Sequence, residues 1–217
     1  MDKESLVQEL KKKPDIDEFA VRVTEQTDLI PLLFEIIEDG AGSVKFTGEK
    51  VIRKISEEKP EILYPFFDRM EKLTKSENSF TRWGFILSLP NMIQTDKNGK
   101  WEKAAFRFLS FLDSDSVVEF GNAVAGLPGI LNAYPQMEDD IVQKLLSIES
   151  HRFMHKGEVS PECINVAKGQ ILDCFDDIYY MSKYKKEMIT FAQDCLNNRR
   201  NGVVKKAKAF LKKYGKG

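Results

Sequence analysis

Apolar residues recur along this chain at positions i, i+3, i+4 and i+7, the spacing that predicts amphipathic α-helices. No run shows convincing alternation of apolar and polar residues, which would predict a β-strand. Clusters of Pro, Gly, Asn and Asp divide the chain into short segments, of which the first two lie near 3–12 and 16–25. The pattern therefore predicts an all-α protein that begins with two short helices.

The remaining segments form pairs with two kinds of member. The first members carry a compact apolar stripe, in residues 29–37, 61–73, 104–112, 140–148 and 188–196. The second members can be aligned with one another from their starts at Val44, Phe80, Val117, Cys163 and Val203, at spacings of 36, 37, 46 and 40 residues. A repeat of this length predicts stacked helical units, because an isolated helix pair cannot bury its apolar stripe.

Each second helix has a predicted inner and outer face. Offsets 0, +4, +7, +8 and +11 lie on one side of a helical wheel, are mostly apolar or small, and include Gly48, Gly84 and Gly121 at offset +4. We expect a small residue there to let the paired helix approach closely. Offsets +2, +5 and +9 are expected to point away from the core. Residues suited to capping precede four of the helices: Ser43, Asn78 or Ser79, Asp115 or Ser116, and Ser160.

The aligned segments resemble the second helix of HEAT and armadillo repeats, which tends to follow the pattern V-[RK]-x-x-A-x-x-A-[LI]-x-x-[IL]. The segments that start at Val44 and Val203 match it well, whereas the middle repeats depart from it. The resemblance implies a right-handed α-α superhelix of about five helix pairs with an N-terminal capping pair. We expect one solenoid domain over 1–217, with the cap at 1–26 and the helical repeats at 27–214.

The resemblance also implies a binding surface, because second helices of this class usually line the concave face of the superhelix. Polar and charged residues with occasional aromatic residues occupy the outward offsets, and this mixture suits a protein or peptide partner. An ordinary solvated helix face is the alternative interpretation. The predicted contact residues are Arg82, Glu119, Asn122, Asn165, Lys168, Lys205 and Lys208.

Charge is distributed unevenly, although the whole chain has a net charge of only −1. Residues 1–194 have a net charge of −9, and residues 195–217 have a net charge of +8 from Arg199, Arg200, Lys205, Lys206, Lys208, Lys212, Lys213 and Lys216. Such a basic repeat could bind nucleic acid or an acidic partner, and it could also be a polar end cap. Some DNA glycosylases for alkylated bases resemble HEAT-like arrays, so a nucleic-acid-binding or DNA alkylation-repair protein is the second functional hypothesis.

Residues 149–160 make one repeat about eight residues longer than its neighbours. Insertions in repeat arrays lie in loops on one face, often the binding face, and a neutral insertion is the alternative. The segment holds both histidines of the chain, His151 and His155, whose i, i+4 spacing could place two imidazoles on one metal if the segment were helical. Arg rather than Glu follows His151, so we predict no metal site and partly exposed histidines.

Other patterns favour a protein without catalytic activity or cofactor. The sequence contains no Gly-rich phosphate loop and no nucleophile-elbow motif. It also lacks an apolar run near the ~20 residues that cross a bilayer, and three cysteines without a CxxC pair suit a reducing compartment. We therefore predict a cytoplasmic scaffold or adaptor that holds a protein or peptide partner on its concave face.

Overall fold

The computed structural model describes residues 1–40 and 42–215, which fold almost entirely as helices. The chain divides into two compact units, Met1–Phe106 and Arg107–Gly217, and each unit is described by itself. Whether 1–217 forms one domain stays a prediction. Among the described residues, no helix is long and apolar enough to cross a membrane.

The first unit contains the predicted N-terminal pair and the first repeats. Its helices are α1 (Lys3–Lys11), α2 (Ile16–Glu25), α3 (Leu29–Asp39), α4 (Ser43–Glu58), α5 (Pro60–Leu63), α6 (Phe67–Leu73) and α7 (Ser79–Ser88), with 3₁₀ turns at Tyr64–Phe66 and Leu89–Thr95. The helix predicted at 61–73 is therefore interrupted. Its break lies at Pro65, which has no amide hydrogen and whose ring clashes with the preceding turn of an α-helix.

The core of the first unit is built on α3, whose apolar stripe is fully buried as predicted. The ring of Phe34 lies 5.2 Å from that of Phe66 and 6.1 Å from that of Phe85. Arg69 covers the edge of this core, because its guanidinium lies 5.0 Å from the Phe34 ring and donates to both carboxylate oxygens of Glu38 at 3.1 and 2.7 Å. Each large apolar side chain buried in this way stabilises the fold by about 1.5–3 kcal/mol.

A carboxyl group lies inside the first unit, where α4 packs against α7. Glu49 is only 7% exposed, and a Cβ added at Gly84 would lie 2.1 Å from its Oε1. Burial raises the pKa of Glu49 to about 7, against the opposing effect of Arg53, whose Nε lies 3.3 Å from Oε1. The glycine of α7 therefore makes room for a polar side chain of the neighbouring second helix.

The predicted division into inner and outer faces is only partly correct. Gly48 lies against Ile37 of the paired helix, as expected, with an added Cβ 3.2 Å from its Cγ1. Glu49 at offset +5 is buried, however, and so are Phe85 and Leu89 at offsets +5 and +9 of α7. These positions are covered because a second helix packs on its paired helix and also on the next second helix.

The second unit contains the later repeats, and α8 (Lys100–Leu109) contains its boundary with the first. Its other helices are α9 (Val117–Ala133), α10 (Glu138–Leu146), α11 (Pro161–Ile178), α12 (Lys185–Asp194) and α13 (Asn201–Tyr214), with 3₁₀ turns at Ser110–Asp113, Pro135–Met137, Ile148–Ser150 and Cys195–Asn197. The helices predicted at 104–112, 140–148 and 188–196 correspond to α8, α10 and α12 and to the turns that end them. The insertion forms an antiparallel hairpin of β1 (Met154–His155) and β2 (Glu158–Val159), which the sequence did not predict.

Helix α11 packs against both α9 and α13, and a glycine again admits a polar side chain. A Cβ added at Gly121 of α9 would lie 1.9 Å from Nε2 of Gln170 on α11. The small residue at offset +4 thus permits close approach of the next second helix here, rather than of the paired helix as predicted. The predicted starts of all five second helices agree closely with the observed ones.

Capping agrees with prediction at two helices. The side chain of Asn78 accepts a hydrogen bond from the Thr81 amide at 3.0 Å, and Ser116 accepts one from the Glu119 amide at 3.4 Å. Helix α4 instead follows Gly42, whose φ of 68° favours glycine. In the described part of the chain, no side-chain cap comes from Ser43 or Ser160.

Replacing Glu49 by Gln should remove most of a pH dependence of stability. The pKa of Glu49 is about 7 in the folded state and 4.5 in the unfolded state, so protonated Glu49 favours folding. This contribution to the free energy of unfolding is fully present below about pH 4.5 and is lost as the pH rises through 7. Between pH 5 and pH 8 the wild type should lose on the order of 2–3 kcal/mol that Glu49→Gln keeps. Urea denaturation at both pH values checks this, with exposed Glu61→Gln as the control. An unchanged pH dependence in Glu49→Gln would contradict it.

Replacing Gly121 by Ala should destabilise the second unit by about 1–2 kcal/mol, because the new Cβ takes space now held by the Gln170 amide. In a Gln170→Ala background the same change should become neutral or stabilising, since Ala favours a helix over Gly by about 1 kcal/mol. A double-mutant cycle by chemical denaturation measures this coupling. If Gly121→Ala changes the free energy of unfolding equally in both backgrounds, the contact with the Gln170 side chain is not the cause of the destabilisation.

Candidate partner-binding site

The seven predicted contact residues are divided between the units. Arg82 lies in the first, on α7, and its half-buried guanidinium donates to the Ser76 carbonyl oxygen at 2.6 Å. The outer surface beside it is aromatic, because the exposed ring of Phe80 lies 5.2 Å from the rings of both Phe46 and Trp83. Arg82 therefore holds the turn before α7 in place, and the other six residues lie on α9, α11 and α13.

Asn165 and Lys168, the two predicted contact residues on α11, line a cleft of about 640 Å³ in the second unit. The cleft lies between the insertion, the first turns of α11 and the segment that precedes α13. Its polar wall includes Glu149, His151, Asn165, Lys168, Asn198 and Arg199. Two predictions made separately, the outward stripe and the insertion, thus coincide at one place in the structure.

Asn165 is the centre of a hydrogen-bond network in this cleft. Its Nδ2 donates to Oε2 of Glu162 at 3.0 Å, and its Oδ1 accepts from Nδ2 of Asn198 at 2.8 Å. Glu162 also accepts from Arg200 at 2.5 Å. These bonds from Asn165 and Arg200 lower the pKa of Glu162 below its usual value. The network fixes the Asn165 carboxamide, which keeps one N–H and one lone pair for a ligand.

Lys168 forms the floor of the cleft beside the insertion. Its side chain is 13% exposed, and its ammonium group forms an ion pair with Glu149. Burial raises the pKa of the Cys195 thiol to about 11, although the positive charge of Lys168 acts in the opposite direction. A thiol with its pKa raised in this way stays protonated near neutral pH.

The insertion is anchored to the unit by aromatic side chains. The ring of His151 lies 4.1 Å from that of Phe153, which is fully buried and lies 5.3 Å from Phe120 of α9. Nε2 of His151 lies 2.8 Å from the Ser114 carbonyl oxygen, so this nitrogen carries the hydrogen. Both histidines are at least partly exposed, as predicted: His151 is half-buried beside Phe153, and His155 is exposed in β1.

Backbone hydrogen bonds and a tight turn give the insertion its shape. The Met154 amide donates to the Asp115 carbonyl oxygen and the Ser160 amide to the Phe153 carbonyl oxygen, each at 2.8 Å. Lys156 and Gly157, with φ of 53° and 85°, form the two-residue turn between β1 and β2. Positive φ at both positions is the signature of the type I′ turns that suit hairpins. Since each strand has only two residues, no alternation in sequence could reveal them.

The other predicted contact residues of the second unit lie on α9 and α13, the two second helices that pack against α11. Glu119 and Asn122 are half-buried on α9, and Oε2 of Glu119 accepts from Ser114 Oγ at 2.7 Å. Lys205 and Lys208 are exposed on α13. All six residues of the second unit thus lie on three successive second helices. Of the basic C-terminal residues, Lys216 lies outside the described residues.

Ion pairs between α11 and α13 hold these two helices together. Lys206 donates to Asp173 and Lys213 to Asp176, both at 2.5 Å.

Within residues 1–40 and 42–215, no group of three or more His, Cys, Asp or Glu residues is placed to hold a metal ion. The side chains that line the cleft offer hydrogen bonds, charge and apolar contact.

Comparison with known proteins supports the fold and leaves the function open. A designed armadillo repeat protein, YIII(Dq)4CqI, is similar to this chain with a TM-score of 0.55 and 17% sequence identity, over 96% of this chain and 98% of that one. No protein-family model and no curated protein matches the sequence. The chain therefore has an all-α, armadillo-like solenoid fold, as its sequence predicts. At this level of identity the likeness concerns the fold alone.

Replacing Phe153 by Ala should release the insertion from the second unit, because the side chain is fully buried against Phe120 and His151. We expect a loss of about 3–5 kcal/mol in stability and faster hydrogen exchange at the Met154 and Ser160 amides. Hydrogen exchange with mass spectrometry measures this. Met154→Ala is the control. Unchanged exchange of residues 149–160 in Phe153→Ala would refute the anchoring role.

Proposed function

We propose that this protein is a non-catalytic helical-repeat adaptor, which binds a protein or peptide partner on the outward faces of α9, α11 and α13. The armadillo-like fold supports a scaffold function, since stacked repeats present an extended surface. The surface meant here is the second-helix face that the sequence analysis predicts to be concave. The cleft beside Asn165 is its most structured part.

The observation that carries this proposal is the fixed carboxamide of Asn165 in an open cleft. An extended peptide brings one N–H and one C=O per residue, and a carboxamide can satisfy one of each. Asn197 and Asn198 add two more carboxamides to the same wall. Because Asn165 is already held by Glu162 and Asn198, little side-chain entropy is lost when it binds.

Apolar groups in the lining of the cleft suit a side chain of the partner. Val159 of β2 is 54% exposed, and Pro161 and Ile164 at the start of α11 also line the cleft. Covering these groups would add apolar burial at about 25 cal/mol per Å². A mixture of polar and apolar groups is the usual composition of a protein-binding surface.

A nucleic-acid-binding protein, including a DNA-repair protein of similar fold, is the second candidate. It is favoured by the exposed lysines of α13, Lys205, Lys208 and Lys212. Phosphate binding by such residues would weaken steeply with salt. The two candidates therefore differ in a property that can be measured directly.

Selection of random peptides on the intact chain should yield binders of about micromolar affinity. Asn122→Ala/Asn165→Ala should weaken them about ten- to thirtyfold, since each lost hydrogen bond contributes about 1 kcal/mol. Asn98→Ala/Asn132→Ala, which removes two carboxamides outside the stripe, is the matched control. Fluorescence anisotropy measures the affinities, and circular dichroism checks folding.

Duplex DNA is the competing ligand in the same assay. Tight DNA binding that falls steeply between about 50 and 200 mM salt, without selectable peptides, would replace the adaptor proposal by the nucleic-acid one. Peptide binding that is equally weakened by both double variants would place the site elsewhere.

A further inference from the structure

We propose that the partner contains an extended acidic segment, whose carboxylates bind a cationic stripe on α13. The stripe consists of Lys205, Lys208 and Lys212. This inference rests on the proposed peptide-binding function and adds the chemical class of the partner. It is carried by a difference among the lysines of α13: Lys206 and Lys213 form ion pairs with α11, and among the described residues the stripe lysines do not.

The three stripe lysines form one line on an exposed surface. Their positions i, i+3 and i+7 lie on the same side of a helix, and all three are exposed. From Lys205 to Lys212 the line is about 10 Å long, at 1.5 Å per residue. Adjacent members are separated by about 5–6 Å at Cβ.

The other lysines of α13 behave differently. Lys206 and Lys213 donate to Asp173 and Asp176 of α11, so their charges are neutralised within the unit. Over the described ranges, the stripe lysines form no ion pair. Three like charges at this spacing repel one another by a few tenths of a kcal/mol per pair. The repulsion would be relieved by an anionic partner.

The helix dipole does not explain the stripe. Cations are stabilised near the C-terminal end of a helix, which accounts for Lys212 and Lys213 in the last turn of α13. Lys205 lies in the first half of α13 and Lys208 lies at its middle, and outside the last turn the dipole gives a cation no advantage. A polar end cap would require hydrophilic residues there and would not require one sign of charge.

The stripe follows the cleft along the chain. Arg199 lines the cleft and lies in the turn that precedes α13, where it is exposed and has no hydrogen bond or ion pair to the residues the structure describes. A peptide held by Asn165 can therefore extend past Arg199 towards α13. Residues 195–217 contain no acidic residue, so the acidic side chains that line this path are those of the cleft itself, Glu149 and Asp194.

The dimensions favour a peptide over nucleic acid. Alternate side chains of an extended peptide point the same way about 6.6 Å apart, close to the spacing of the stripe lysines. A stripe of about 10 Å offers few of the six to ten phosphate contacts that a duplex commonly makes. We therefore infer a segment with Asp or Glu at alternate positions.

Peptide selection on three forms of the full chain tests this inference. Wild type should enrich Glu or Asp at alternate positions, and Lys205→Gln/Lys208→Gln/Lys212→Gln should lose that enrichment. The charge-reversed form, with Glu at the same three positions, should enrich Lys or Arg instead. Lys72→Gln/Lys75→Gln/Lys103→Gln removes the same charge from exposed positions elsewhere and should select as wild type does.

Affinity measurements on a selected peptide complete the test. Replacing its acidic residues by Gln should weaken binding to wild type about tenfold and should have little effect on the triple Gln variant. Selected peptides without acidic preference would overturn this inference and leave the proposed function standing. No selectable peptide would overturn the proposed function itself. Duplex DNA that binds more tightly than the peptides, with a steep salt dependence, would overturn both.

Discussion

The packing of one second helix against the next is the interaction on which the rest of each unit depends. Helix α4 packs on α7, and α11 packs between α9 and α13. A single helix pair exposes part of its apolar stripe, and only a neighbouring repeat can cover it. The glycines at the contacts show how close this packing is, since Gly84 and Gly121 have no room for a Cβ beside Glu49 and Gln170. Polar side chains are thereby enclosed within the stack.

The same constraint decides which side chains remain available to a partner. Where a second helix is covered, outward offsets become core positions, and Phe85 of α7 and Leu89 in the turn that follows it are examples. Where a side chain projects beyond the contact it stays accessible, as at Lys205 and Lys208 of α13. Burial has a chemical consequence too, because the carboxyl of Glu49 has a pKa raised to about 7 by its enclosure. Which side chains stay accessible on the surface is therefore a product of stacking.

Much of the fold could be predicted because helical periodicity is local. The starts of the five second helices, the two N-terminal helices and the caps at Asn78 and Ser116 follow from residues a few positions apart. The hairpin at 154–159 could not be predicted, because its strands are too short to show a period. It is also held by a contact between Phe153 and Phe120, which are far apart in the sequence. Burial at offset +5 also depends on a neighbouring repeat, which one helical wheel does not represent.

The site was predictable in part for the same reason. Asn165 and Lys168 were identified because their helix face follows from spacing alone, whereas their partners Asn198 and Glu149 come from other segments. Those partners belong to the parts of the chain that depart from the repeat: the insertion and the segment that leads into the basic last repeat. Regular positions are occupied by packing and are therefore constrained. The irregular segments do not follow the repeat spacing, so the partners that they supply to Asn165 and Lys168 could not be predicted from that spacing.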